Sequence, residues 1–404
     1  MAARPRVVVV GAGIAGSLIL AGLAGRDDID LICLERVGPD DHAEAGTGLN
    51  IGPNAMKCLA AHLPKSAATI IANSLPWAHW QISLTDGRVL MDLPLGEVAD
   101  NPGIRIRWAE LYSLLRRPVA EHIIFNAELT ACRAGPAARS PAITWRDRNT
   151  GESHDIADID LLIAGDGRYS LIRNHVFGGP EVPHFHGVCL YRLLFPVGAD
   201  CPIGDYGQWF NGPNRLLAFR VPGDFVYCAG SFPIPPDSGI PDDMKTADFL
   251  GRIYRPEQGE PSPQAAFLID AVTRHVDSIH WARLQQGSVA YGREPGVLLV
   301  GDSAHPMVPT LGQGATQACE DACVVVEEIR LALAAGRPLA TVSERVEARR
   351  SERVRFVVDF SYEATDTMLA GADPVAGTLK KTEPAFRAKL ERLYRDVPMP
   401  FSPA

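Results

Sequence analysis

The turn Gly11-x-Gly13-x-x-Gly16 constrains this chain more than any other feature. The apolar run Val7–Val10 precedes it; Ser17–Ala24, a helix start, and Ile29–Glu35, a second strand, follow. Strand, glycine turn, helix and strand in that order predict a parallel βαβ unit. One glycine permits the tight turn, one lets a pyrophosphate approach the backbone, and one lets helix and strand pack closely. The helix N-terminus then faces the phosphates, with Ile14 and Ala15 of the turn beside the cofactor. Glu35 ends the second strand, where it can hold a ribose hydroxyl pair, and Arg36 follows it. The segment is expected to bind the ADP half of a dinucleotide.

Other parallel-strand signals lie far apart. Ile159–Ala164 ends at Gly165-Asp166-Gly167, and Val297–Val300 precedes a long helix over Gly314–Ala335. Leu49–Leu63 reads as a helix with Pro53 in its first turn and Asn50 or Gly52 near its cap. Trp77–Ile82 and Arg88–Leu93 flank an Asp-Gly hairpin turn. From about Pro183 to Leu284, short β-like runs alternate with Pro/Gly turns, the pattern of a mainly antiparallel insert. The expected organisation is a discontinuous α/β dinucleotide domain (1–75, 100–182 and 286–340), an inserted substrate-binding β-sheet domain (76–99 and 183–285) and a C-terminal helical region (341–404).

The second nucleotide-contacting strand decides the cofactor. Val297–Val300 delivers Gly301-Asp302 at its carboxyl end, where α/β sheets bind ligands. Gly312-Gln-Gly314-Ala315 then opens a helix whose N-terminal dipole points back at the site. Asp302 suits a ribityl chain, and the helix end suits negative charge on a reduced isoalloxazine. A simple nicotinamide dehydrogenase needs no such distant strand, so FAD, held tightly without a covalent bond, is expected. No second glycine-rich βαβ unit is evident, so NAD(P)H would dock only transiently as reductant. The formal net charge is −9 with no concentrated Lys/Arg run, which argues against nucleic acid or an acidic membrane surface. No apolar window approaches a membrane span. Eight scattered cysteines without Cys-x-x-Cys suggest reduced, mostly buried thiols and a cytoplasmic protein. Cys319 and Cys323, one helical turn apart, read as small residues on a buried face rather than metal ligands.

Three fingerprints coincide: Gly11/Gly13/Gly16 with Glu35-Arg36; Asp166-Gly167-x-x-Ser170-x-x-Arg173; and Gly301-Asp302 with His305-Pro306 and Pro309. With these in order, the chain resembles the class A FAD-dependent aromatic hydroxylases, which include p-hydroxybenzoate, salicylate and 6-hydroxynicotinate hydroxylases. The resemblance extends over roughly Val7 to Arg330. It implies an NAD(P)H-dependent monooxygenase in which O2 forms a flavin C4a-hydroperoxide that hydroxylates an activated aromatic or N-heteroaromatic ring, with or without loss of CO2. Asp166, Gly167 and Arg173 inherit a cofactor role, the alternative for Arg173 being a solvated helix arginine. The stretch from Gly46 through Gly48 and Asn50 to Asn54 resembles the hydroxynicotinate and salicylate branch, where this loop passes beside the flavin. Relatives carry an arginine three residues before a helix leucine. Here Trp108 stands three residues before Leu111, so either Arg107 takes that place or the indole does, and Arg107 is favoured.

For the substrate, His305 is the best general-base candidate, the alternative being a histidine that only orders the Pro306 turn. Tyr191, in an otherwise apolar run, could hydrogen-bond a ring hydroxyl. Strand alternation puts Arg215, Leu217 and Phe219 on one face, where an arginine beside an aromatic suits a ring carboxylate. If the other face points inward, Arg220 takes that role. Asn50, Met307 and Pro309 are expected to line the pocket above the flavin. A reductase or oxidase on the same fold and a non-catalytic nucleotide-binding regulator are the competing readings, and monomer and homodimer both stay open.

Overall fold

A computed structural model describes residues 4–41, 47–134, 140–235, 238–292 and 294–401; Gly46 and the last tail residues lie outside these. The fold is α/β, with a Rossmann-like FAD-binding layer, an inserted mainly antiparallel sheet and a C-terminal helical segment. The βαβ unit forms as its pattern requires. Arg6–Val10 is central to a five-stranded parallel sheet in the order Val297–Leu299, Leu161–Ala164, Arg6–Val10, Asp30–Leu34, Ile123–Ile124. Its β-branched run is buried within the main hydrophobic core. The chain leaves this strand for neighbours on opposite sides, so the crevice at its carboxyl end is the topological switch point where α/β sheets take ligands.

The second large sheet has seven strands, ordered His280–Gln286, His184–Pro196, Phe225–Pro233, Asn214–Val221, Tyr206–Asn211, His79–Leu84 and Val89–Pro94. Alternation gives it two apolar faces. Cys189, Tyr191, Leu193, Leu216, Ala218 and Cys228 pack outward beneath the helices Ala247–Ile253 and Pro263–Arg274. Tyr206, Phe210, Leu217, Phe219 and Tyr227 pack inward and join the main core with the nucleotide-binding layer. Arg105 ties the two layers together. Its guanidinium donates to the carbonyls of Pro76, Gly204 and Arg220 and pairs with Asp205 at 3.2 Å.

Two local expectations change. Leu49–Leu63 does not form one helix: Gly48–Ile51 is a strand paired with Gly103–Arg107, and the helix runs Pro53–His62 behind Gly52. Pairing across the sheet satisfies the backbone of 48–51, and Pro53 starts the helix where its missing N–H costs nothing. A three-stranded antiparallel sheet, Ala127–Arg133, Ala142–Asp147 and Ser153–Ile156, was not expected from the sequence. Its strands are half-exposed and polar, so they lack a strong apolar alternation. The C-terminal stretch is helical, with Val342–Glu363 and Pro384–Arg395 as its longest elements. Every cysteine is free, and all but Cys201 are buried. Among the described residues no helix is long and apolar enough to cross a membrane, and no cluster of three or more metal-ligating side chains occurs.

Candidate active site

The crevice begins where three parallel strands end. Gly11 has φ +95°, and a Cβ there would lie 2.3 Å from the Gly165 carbonyl oxygen, so the first turn is pressed against the Gly165-Asp166-Gly167 turn. A Cβ on Gly16 would meet the Gly11 carbonyl at 2.0 Å. Gly13 caps the helix Ile14–Leu23 without a side-chain hydrogen bond, which leaves first-turn N–H groups for a ligand. The Glu35 carboxylate accepts from the backbone of Ala12 (2.7 Å) and Val37 (3.1 Å) and lies 3.2 Å from Arg116 Nη2. Gly11, Gly13, Glu35, Arg36, Asp166 and Gly167 line one cleft of about 390 Å³.

The helix Trp108–Arg116 lays a ladder along this cleft. Trp108 stacks on Tyr112, ring centroids 4.9 Å apart, and Arg116 lies 4.4 Å above the Tyr112 ring while donating to the Ala12 carbonyl at 2.7 Å. Spacing of four residues puts all three on one helix face. Burial pushes the Tyr112 phenol well above its ordinary range, so it stays a neutral donor. Asp166 Oδ2 accepts from the backbone of Leu171 and Ile172 at the start of the next helix, while its buried Oδ1 has no partner.

The second half of the crevice forms around Gly301-Asp302. A Cβ on Gly301 would touch Ala318 at 3.4 Å and Ala15 at 3.9 Å, so the helices Ile14–Leu23 and Gln313–Ala334 both flank this turn. Asp302 lies beside Gly314, whose Cβ position is 3.5 Å from Oδ1. Gly312 caps the second helix at φ +65°, again without a side-chain bond, and a Cβ there would lie 2.5 Å from Asn50 Nδ2, a buried donor with no partner. Two uncapped helix N-termini, an acid at each end and unpartnered Asp166 and Asn50 atoms between them fit a dinucleotide flavin.

The inner face of the seven-stranded sheet lies across the Gly48–Ile51 strand from this crevice. A Cβ on Gly48 would meet Tyr227 Cβ at 2.5 Å and Phe219 at 3.3 Å, so that strand lies directly on the sheet's aromatic face. Phe219 stacks on Tyr206 at 5.7 Å and contacts Tyr227 at 5.0 Å. Gln208 Nε2 donates to the Tyr206 hydroxyl at 3.2 Å. Burial raises the Tyr206 phenol to about 12 despite the opposing charge of Arg215. Arg215 shares this face, opposite Phe210 and Ser231 in the sheet register, and is 4% exposed. Among the described residues it has no ion pair or hydrogen bond, and its Nε is fully buried. Desolvation lowers its pKa, only partly offset by Tyr206 and Tyr227. A buried guanidinium without a counter-charge is costly, which marks it as a partner for an anion.

Comparison with known proteins agrees with this geometry. Residues 257–361 match the FAD binding domain family. The chain is 26% identical over 381 residues to a 6-hydroxynicotinate 3-monooxygenase of Pseudomonas fluorescens, covering 90% of this chain and 92% of that protein. It is 29% identical to the 3-amino-4-hydroxybenzoate 2-monooxygenase PtmB3 of Streptomyces platensis, covering 88% and 86%. Over most of its length the chain is similar to FAD-dependent aromatic hydroxylases. Klebsiella pneumoniae HpxO, solved with FAD and uric acid, shares this chain's fold at a TM-score of 0.79 and 22% identity, covering 98% of this chain and 97% of that one.

Several residues expected at the site lie elsewhere. Tyr191 is on the outer face, against Tyr254 and Trp281, with the whole sheet between it and the crevice. His305 is fully buried, and its Nε2 lies 2.7 Å from Asp321 Oδ2, so it is held in the core rather than presented to a substrate. Arg173 is buried rather than solvated. It binds the carbonyls of Ser303 and Ser288 and the carboxylate of Glu181, and so ties its helix to the Gly301 turn. Arg107 pairs with Glu110 and lies over Phe225, whereas Trp108 contacts Tyr112 on the cleft side. Arg220 pairs with Asp224 at the end of its strand, which leaves Arg215 as the inward arginine. Met307 is buried, and its carbonyl accepts from Arg168; Ala315 is half-buried and Pro309 exposed. Tyr112, Arg116, Tyr206 and Gln208 were missed. Four-residue spacing after Trp108 was a signal for the first two; nothing local marked the others.

Proposed function

We propose that this hydroxylase uses NAD(P)H and O2 to hydroxylate an aromatic or N-heteroaromatic ring that bears a carboxylate. The observation that carries this reading is Arg215, buried and without a counter-charge on an aromatic-lined face. A substrate carboxylate would supply the missing negative charge through a charge-assisted pair. Phe219 and Tyr227 would bracket the ring. Tyr206, neutral over the working pH range, can donate a hydrogen bond to a ring oxygen.

Glu35, Asp166, Asp302 and the two uncapped helix ends would hold the cofactor, tightly and without a covalent bond. Bound FAD supplies the redox chemistry and oxygen activation that no side chain can provide. The residues of this chain orient the ring and exclude water: Tyr227 and Phe219 close the space beneath Gly48, and Met307 is buried in the adjoining turn. Eight free cysteines favour a reducing compartment, and we place the enzyme in the cytoplasm.

The test is a screen of NAD(P)H oxidation against hydroxylated benzoates and pyridine carboxylates, with peroxide and product mass measured. An acid that stimulates oxidation and yields a product heavier by one oxygen is expected. Stimulation only by uncharged rings, or turnover without oxygen insertion, would refute the reading.

A further inference from the structure

The C-terminal helix Val342–Glu363 forms a buried ion-pair network with the helix Gln313–Ala334. Arg350, on the Val342–Glu363 helix, is the largest fully buried side chain of the protein. Its Nε donates to Asp321 at 2.8 Å, its Nη1 to Glu320 at 2.6 Å and its Nη2 to Gln317 Oε1 at 2.7 Å. The two adjacent carboxylates then lead to different turns of the crevice. Asp321 Oδ2 accepts the Gly301 N–H at 2.8 Å and contacts His305, and so holds the turn that carries Asp302. Glu320 Oε1 accepts from Asn54 Nδ2 at 2.7 Å, which also reaches Gln313 Oε1 at 3.1 Å. This second arm holds the turn after the Gly48–Ile51 strand, where Gly52 N–H donates to Thr316 at 2.9 Å. Neither carboxylate meets the crevice directly, and both are fully buried.

We infer that Arg350 is a positioning residue for the flavin: through Asp321 and Glu320 it sets the spacing of the two turns between which the ring would lie. The inference rests on the FAD reading. A buried carboxylate keeps its place only while its cation does, because an uncompensated buried charge reorganises its surroundings or draws in water. Replacing Arg350 therefore takes the arginine from Asp321 and one of two from Glu320, on which Arg353 stays, and shifts the Gly301 N–H and Asp302 relative to the turn that Asn54 holds. A turn displaced by less than an ångström is enough to alter a preorganised site.

The experiment uses full-length protein stripped of FAD and titrated with it. Flavin fluorescence reads affinity, and visible circular dichroism of the loaded protein reads the ring's surroundings. Arg350→Met is expected to weaken FAD binding by roughly two- to thirtyfold, the range for residues that act on a site without touching it, and to change the visible spectrum. Asp321→Asn is expected to do the same, and Arg350→Lys to recover part of the loss. Arg349→Met is the control for stability alone: Arg349 pairs with Glu327 and Glu328 further along the same helices and reaches neither turn. Its melting temperature is expected to fall with FAD affinity and spectrum unchanged. Folded Arg350→Met and Asp321→Asn proteins with wild-type affinity and spectrum would overturn the inference. Should Arg350→Met fail to fold, Arg350→Lys and Asp321→Asn decide by the same two outcomes. A wild-type protein that cannot take up FAD would instead refute the FAD reading itself.

Discussion

Replacing Arg215 by methionine is expected to make the protein more stable and a worse enzyme. In the free protein the guanidinium is 4% exposed and has no counter-charge, so the fold bears its desolvation. Substituting buried ionic groups by apolar ones of similar volume is often neutral or stabilising by about 1–4 kcal/mol. The unfolding entropy of a chain of 404 residues is large, so each kcal/mol moves Tm by only about 1 °C. A rise of roughly 1–4 °C is therefore expected by differential scanning fluorimetry, measured without substrate. In the complex the same change removes a hydrogen bond between charged groups, worth about 1.5–3 kcal/mol. That corresponds to a KM roughly 10- to 150-fold higher for a carboxylate-bearing ring. A ring of the same shape without the carboxylate is expected to be affected little, which separates lost charge from lost shape. Arg215→Lys is expected to recover only part of the loss, because an ammonium cannot form the bidentate pair. A lower Tm with unchanged KM would show that Arg215 is structural and would refute the reasoning.

Three further outcomes follow from the geometry. Gly11→Ala forces a Cβ to within 2.3 Å of the Gly165 carbonyl at φ +95° and is expected to abolish FAD retention, visible as colourless purified protein. Tyr191→Phe, on the outer face, is expected to leave KM for the aromatic acid within about twofold; a larger increase would contradict its placement. Burial alone would raise the Glu320 carboxyl, but the charges of Arg353 and Arg350 and the bonds from Arg353 and Asn54 outweigh it and push it down to about 2. A depressed folded-state pKa gives stability that is complete above the unfolded value of 4.5 and lost as pH falls toward 2. Roughly 3 kcal/mol is expected to disappear across that window, and thermal melts from pH 6 to 2.5 on wild type and Glu320→Gln would show it, the variant having the shallower slope.

The sequence by itself determined the nucleotide-binding half. Val7–Val10, the three glycines and Glu35 are neighbours along the chain, so their spacing alone dictates a strand, a turn and an acid at the next strand end. Gly301-Asp302 was legible for the same reason, because the strand before it and the helix after it bring their own signals. What the sequence left open was direction. Tyr191 and Arg215 both sit on strands of one sheet, and alternation defines two faces without saying which one meets the crevice; only the helices over 247–274 settle that Tyr191 faces away. His305 followed the flavin motif closely enough to look reactive, yet Asp321 turns it into the core. Asp321 and Glu320 read as ordinary helix acids until Arg350 arrives from 29 and 30 residues further on. Charges buried by long-range packing leave no local pattern, since their partners are chosen by how the layers close. In this protein, local spacing builds the cradle for the cofactor, and tertiary packing decides which side chains meet the ring.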